Sequence, residues 1–222
     1  MLYIVATPIG NLSDITLRAL DVLKSVEYIL CEDTRVTRKL LDHFEIKDKK
    51  VIAYHHHSNQ NQIDKIIEIV KNNNVALVTD AGTPGISDPG NQLVHELVSN
   101  SVSQTKIVPI PGASAVTTAL SISGFPTDKF IFKGFIPHKR GRETFFKEVI
   151  NAEQTVVFFE SCHRIIKTLN SLKELNFNKQ IVVCRELTKK FESFYRGSIS
   201  EVLNQVNSDP VKGEYVVVVN KK

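Results

Sequence analysis

Five short apolar runs, separated by stretches of helical periodicity, set the tightest limit on how this chain can fold. LYIVA (2–6), EYILC (27–31), VIAY (51–54), VALVT (75–79) and KIVPI (106–110) are strand-like. Between them Ile63, Ile66, Ile67 and Val70 recur at i, i+3, i+4 and i+7, the apolar stripe of one helix. Leu12, Ile15, Ala19 and Val22 repeat the pattern earlier, with Ser13 and Asp14 placed to open that helix. A strand that is apolar at successive positions has no face to turn to water, so both faces of its sheet must be covered. Strands and helices in alternation, with both sheet faces covered, predict a parallel α/β sheet.

The later runs differ. KFIFKGF (129–135), TVVFF (155–159), IVVCR (181–185) and YVVVV (215–219) are longer and more aromatic, with fewer helical stretches between them, and predict a mixed sheet. Proline and glycine in PIPGASA interrupt the pattern near 110–115. This predicts an N-terminal α/β domain over 1–112 and a C-terminal α/β domain over 113–222. A chain of 222 residues can fill two such cores. With 42% hydrophobic and 23% charged residues the composition is that of a globular protein, not a disordered one. No apolar run reaches the roughly 20 residues of a membrane span, and MLYIVATPIGN reads as a strand in place, not as a leader. Cys31, Cys162 and Cys184 are odd in number and form no C-x-x-C pair, the usage of idle thiols in a reducing cytoplasm. Three adjacent histidines at 55–57 cannot all point one way, so no metal site is expected there; His57 facing a cleft is the better candidate.

In an open α/β sheet, ligands bind beyond the carboxyl ends of the strands. Three loops at such ends share a glycine- and proline-rich composition: ATPIGN, TDAGTPGISDPG and IPGASA. Glycine lets a ligand approach the backbone, and proline stiffens a loop without adding a donor. Neither G-x-G-x-x-G nor a phosphate-binding G-x-x-x-x-G-K-[ST] is present. The end of the longest loop has a structural explanation, a helix start with Asp88 as N-cap and Pro89 as first helical residue ahead of Leu93, Val94, Leu97 and Val98. That leaves Asp80, Gly82, Thr83 and Ile86 to face a ligand.

Eight motifs in order carry a resemblance over essentially the whole chain: TPIGNLSDITLRAL, CEDTRVTRKLL, TDAGTPGISDPG, PGASA, FKGFIPHKRGRE, FESCHRI, RELTKKFE and KGEYVVVV. Together they resemble the ribosomal-RNA branch of the tetrapyrrole-methylase-like (class III) S-adenosylmethionine-dependent methyltransferases. AGTP, with Thr83 where the tetrapyrrole enzymes carry an acid, is in keeping with that branch. The resemblance implies two α/β domains with S-adenosylmethionine between them, a homodimer, and 2′-O-methylation of a cytidine in 16S ribosomal RNA. It implies cofactor contacts at Pro8, Ala81, Gly82, Thr83, Ile86, Ser114 and Ala115, with Phe159 and Leu187 flanking the adenine.

Methyl transfer to a ribose hydroxyl needs positioning and an acceptor for the hydroxyl proton, but no metal. Asp33, Asp80 and Glu160 stand at predicted strand ends as candidate acceptors, and His163 is a further one. Asp33 reads equally well as a helix cap or an ion-pair partner of Arg35. Cations in strand-end loops predict an RNA-facing rim: Lys139, Arg140 and Arg142 beside His138, then Arg35, Arg38 and Lys39, and Arg164, Lys189 and Lys190. Any one such run is by default a solvated face; the net charge of +4 decides nothing alone. Two other functions share these features, a tetrapyrrole C-methyltransferase and a non-catalytic RNA-binding module.

Overall fold

The structure is a computed structural model that describes residues 1–55, 58–99, 105–175 and 177–221; His57 lies outside the described residues. The chain divides into two compact units, Met1–Ser114 and Ala115–Lys222.

In the first unit β1 (Leu2–Val5), α1 (Leu17–Ser25), β2 (Tyr28–Cys31), α2 (Thr34–His43), β3 (Lys50–Ala53), α3 (Gln60–Asn72), β4 (Val75–Leu77), α4 (Asn91–Ser99) and β5 (Ile107–Ile110) follow in order. The sheet order is β3-β2-β4-β1-β5, and every pairing is parallel. The continuous apolar runs now have their cause. Within β1, Leu2 and Ile4 pack with the buried stripes of α3 and α4, which include Ile63, Ile66, Leu93 and Leu97. Tyr3 and Val5 pack with Ala19, Val22 and Leu23 of α1 and Leu41 of α2. Successive residues feed opposite cores, so no position along the strand can be polar. Because all strands run the same way, all their carboxyl ends lie along one edge.

Two helix starts differ from expectation. Ser13 and Asp14 lie in a 3-10 turn, Leu12–Asp14, capped by the Asn11 side chain. Helix α1 begins at Leu17, and Thr16 is its N-cap, with Oγ1 accepting the Ala19 N–H at 3.1 Å. Helix α4 begins at Asn91, past Asp88 and Pro89. The residues before it close on themselves instead: Gly85 N–H donates to the Pro89 carbonyl at 3.2 Å, and Asn91 Nδ2 donates to the Gly85 carbonyl at 2.8 Å.

The second unit runs α5 (Ala115–Ser121), β6 (Phe130–Phe135), α6 (Arg142–Asn151), β7 (Thr155–Ser161), α7 (Ile165–Glu174), β8 (Ile181–Arg185), β9 (Ser193–Gly197), α8 (Ile199–Ser208) and β10 (Glu214–Val219). Its order is β6-β7-β10-β8-β9. The β6–β7 pair is parallel and the remaining pairs are antiparallel, so the sheet is mixed. Helices are no scarcer here than in the first unit. Phe145, Phe146 and Val149 of α6, Ile165, Leu169 and Leu172 of α7, and Ile199, Val202, Leu203 and Val206 of α8 all join one core with Phe158, Val183 and Val217.

Candidate functional site

At the carboxyl edge of the first sheet, the three glycine- and proline-rich loops are tied to one another. Thr7 and Gly82 exchange backbone hydrogen bonds in both directions, at 2.9 and 3.0 Å. The Thr7 hydroxyl donates to the Thr79 carbonyl at 3.0 Å, and Thr83 Oγ1 donates to the Ala113 carbonyl at 3.4 Å. Gly82 sits at φ +83, where an L side chain is strained, although a Cβ there would meet only Ile9 at 3.5 Å and the Ala113 carbonyl at 3.9 Å. Gly112 is glycine for a different reason: a Cβ would lie 3.0 Å from that of Ala6, so the third loop could not approach the first so closely. Pro8 and Gly82 are buried, Thr83 and Ser114 half-buried, and Ala81, Gly112 and Ile86 exposed. An exposed backbone beside an exposed isoleucine suits a ligand with a polar amino-acid end and an apolar body. Ala115, Phe159 and Leu187 belong to the second unit. There Leu187 is buried, and the half-buried Phe159 ring lies edge-on to Phe132 at 5.0 Å and Phe135 at 5.3 Å.

Beside these loops a cleft of about 410 Å³ is lined by Glu32, Asp33, Thr34, Arg35, Ala53, His55 and Asp80. Asp33 caps helix α2: its Oδ1 accepts the Arg35 N–H at 2.8 Å. The Arg35 guanidinium closes on both carboxylate oxygens, with Nη2 to Oδ2 at 2.6 Å and Nε to Oδ1 at 3.0 Å. The Arg35 side chain, and after it the Arg35 backbone N–H, hold the Asp33 pKa at about 2. A carboxylate fixed in its ionised form by a cap and an ion pair is a poor base, which weighs against Asp33 as the proton acceptor. Asp80 is the better-placed acid, exposed on the same cleft with its Oδ1 accepting the Asp33 N–H at 3.0 Å. No motif announces that contact, which exists because β2 and β4 are neighbours in the sheet.

Glu160 is likewise held by partners. It is 1% exposed, with Oε1 paired to Arg164 Nε at 2.9 Å and Oε2 accepting the Thr168 hydroxyl at 2.7 Å. It lies inside the second unit as a structural carboxylate. Three of the predicted RNA cations have partners there too. Arg164 is held by Glu160, Arg142 Nη2 donates to Thr168 Oγ1 at 3.0 Å, and Lys189 pairs with Glu186 and Glu214 at 3.0 and 2.7 Å. Lys139 and Arg140 are exposed, as are Arg35 and Arg38 of helix α2. The three cysteines are free; burial pushes the Cys184 thiol up to about 12. Among the described residues no group of three His, Cys, Asp or Glu side chains is gathered for a metal. None of their helices is long and apolar enough to cross a membrane.

Residues 1–203 match the family described as Tetrapyrrole (Corrin/Porphyrin) Methylases. A relative named "Ribosomal RNA small subunit methyltransferase I" from Hydrogenobaculum sp. is 43% identical over 100% of this chain and 96% of its own length. One of the same name from Halalkalibacterium halodurans is 42% identical over 98% of this chain and 75% of its own. Among solved structures, a diphthine synthase superposes with a TM-score of 0.74 at 14% identity, covering 99% of this chain and 89% of that one. That last likeness speaks for the fold alone. The chain therefore belongs to the tetrapyrrole (corrin/porphyrin) methylase family, on the branch of the proteins named ribosomal RNA small subunit methyltransferase I.

Proposed function

We propose that this protein transfers a methyl group from S-adenosylmethionine to the ribose 2′-hydroxyl of a cytidine in 16S ribosomal RNA, working as a cytoplasmic homodimer. The observation that carries the reading is the similarity, along the full chain, to relatives named for ribosomal RNA methylation. The glycine-loop edge supports it, with backbone and apolar surface presented together at Ala81, Gly112 and Ile86.

Ala81, Gly82, Thr83 and Ile86 would hold S-adenosylmethionine at that edge, and it would supply an electrophilic methyl group for the ribose oxygen, its sulfur retaining the electron pair of the bond to that methyl. The chain's task is to align the hydroxyl, exclude water and take the hydroxyl proton. Asp80 is the proposed acceptor, held in place through the Asp33 N–H. The Thr7–Gly82 bridge fixes the loops, so little ordering remains to be done on binding. Arg35, Arg38, Lys139 and Arg140 supply exposed positive charge for RNA phosphates.

The test is labelled methyl transfer from S-adenosylmethionine to small subunits or 16S RNA from cells lacking the modification, mapped by resistance of the ribose linkage to alkali. One resistant cytidine is expected. Label on a base, or transfer to a tetrapyrrole and to no RNA, would overturn the reading.

A further inference from the structure

The end of strand β6 carries an aromatic side chain directly beside a loop of exposed basic residues. Phe135 is 56% exposed, Ile136 is buried, and His138, Lys139 and Arg140 are exposed. Among the described residues no side-chain hydrogen bond or ion pair engages Lys139 or Arg140. The Phe135 ring is not loose, since it rests edge-on against Phe159 at 5.3 Å.

The loop is held at both ends by one buried carboxylate. Glu160 Oε1 pairs with Arg164, and Arg164 Nη1 donates to the Ile136 carbonyl at 2.9 Å, just ahead of the loop. Glu160 Oε2 accepts the Thr168 hydroxyl, and Thr168 Oγ1 accepts from Arg142 Nη2 at 3.0 Å, just behind it. Arg142 also lies over the Phe146 ring at 4.8 Å. Within the loop, Arg142 N–H donates to the Lys139 carbonyl at 3.2 Å, and Gly141 at φ +84 completes the turn.

Burying a carboxylate is costly unless it is paired, and Glu160 is paired with Arg164, the Thr168 hydroxyl and the Ser161 N–H. A merely solvated loop needs no such frame. A frame that fixes a loop before its partner arrives lowers the entropy lost on binding. An exposed ring beside cations that have no acid partner among the described residues is complementary to one chemistry in particular. Single-stranded nucleic acid offers an unstacked base and flanking phosphates, whereas a duplex hides its base faces.

We propose that residues 135–142 form a docking element for single-stranded RNA. Phe135 stacks an unpaired base, Lys139 and Arg140 hold the adjoining phosphates, and Glu160 is the positioning residue for the loop. The inference rests on the RNA-substrate reading above.

The experiment measures fluorescence anisotropy of the full chain with a short labelled single-stranded RNA and with the same sequence as a duplex. Phe135→Ala is expected to weaken single-strand binding about tenfold, the worth of one base stack, and to leave duplex binding unchanged. Phe135→Trp should restore it, whereas Phe135→Leu, which keeps apolar bulk without a ring, should not. Glu160→Gln should weaken the same binding and speed amide hydrogen exchange in residues 137–141, with S-adenosylmethionine affinity unchanged. Thr168→Val, a milder break in the same frame, gives the same pattern if Glu160→Gln does not fold. Wild-type affinity of Phe135→Ala for single strands overturns the proposal, as does a loss of S-adenosylmethionine affinity in its place. If wild-type protein methylates RNA and Phe135→Ala still binds normally, the docking element alone falls. If wild-type protein neither binds nor methylates RNA, the RNA reading falls and the docking element with it.

Discussion

Replacing Asp33 by asparagine separates two roles that its position in the cleft allows. Asparagine retains the oxygen that caps helix α2 and accepts the Arg35 N–H, so the helix start survives. It removes the charge that the Arg35 guanidinium grips at 2.6 Å. If Asp33 were the proton acceptor, the loss would slow methyl transfer by about 10² to 10⁴. Its pKa of about 2 argues otherwise, since useful bases titrate near the working pH. Single-turnover transfer at saturating RNA and cofactor should therefore slow by less than about tenfold, below the contribution of a positioned base. RNA affinity should rise by a factor of about two to five, the range of an exposed ion pair, because Arg35 loses its acidic partner. Asp80→Asn, in contrast, should slow the chemical step by about 10² to 10⁴. The sign of the pH effect follows from the depressed pKa. The stabilisation from the Asp33–Arg35 pair is complete above the ordinary aspartate value of about 4 and is lost as pH falls through about 2. No inflection from Asp33 should appear at neutral pH. A rate loss of 100-fold or more in Asp33→Asn, with RNA and cofactor affinities unchanged, would refute this reasoning and return Asp33 to the role of base.

Gly82→Ala places a side chain at φ +83 without a clash; the strain of about 1–2 kcal/mol should lower the melting temperature by roughly 2–8 °C and weaken S-adenosylmethionine binding in titration calorimetry. Thr16→Ala removes the cap of α1 and should destabilise by about 0.5–2 kcal/mol in urea unfolding, whereas Ser13→Ala should not change stability. Replacing Lys139 and Arg140 together by alanine should reduce the log–log salt slope of single-stranded RNA binding by about 1.4, near 0.7 for each phosphate no longer neutralised.

The parallel sheet is legible in the sequence because burial on both faces leaves its mark on every position of a strand, as Leu2 to Val5 show. Strand β9 is not legible in that way, because its alternation is brief: Tyr195 is buried between exposed Phe194 and Arg196 at the sheet edge. The start of α1 is ambiguous in sequence because Ser13, Asp14 and Thr16 are all good caps, and only backbone geometry selects Thr16. The glycine- and proline-rich loops stand out by composition, since backbone conformation at Gly82 and close approach at Gly112 favour glycine directly. The carboxylates do not sort themselves. Asp33, Asp80 and Glu160 look alike as acids at strand ends, and their roles are set by partners that the fold brings in. Asp33 has Arg35, Asp80 has the Asp33 N–H, and Glu160 has Thr168 and Arg164.

Strand β10 lies in the middle of the second sheet, between β7 and β8, yet it comes after both in the chain. Tyr215 to Val219 are all buried, and they pair antiparallel on either side. While the ribosome is still short of residue 219, β7 and β8 each present an open, strongly apolar edge with nothing to seal it. The first unit has all its strands by residue 110 and can close much earlier. A nascent chain of this protein is thus expected to pass through an interval in which its first half can fold while the strand edges of its second half are still unpaired, the interval in which aggregation is the greatest hazard.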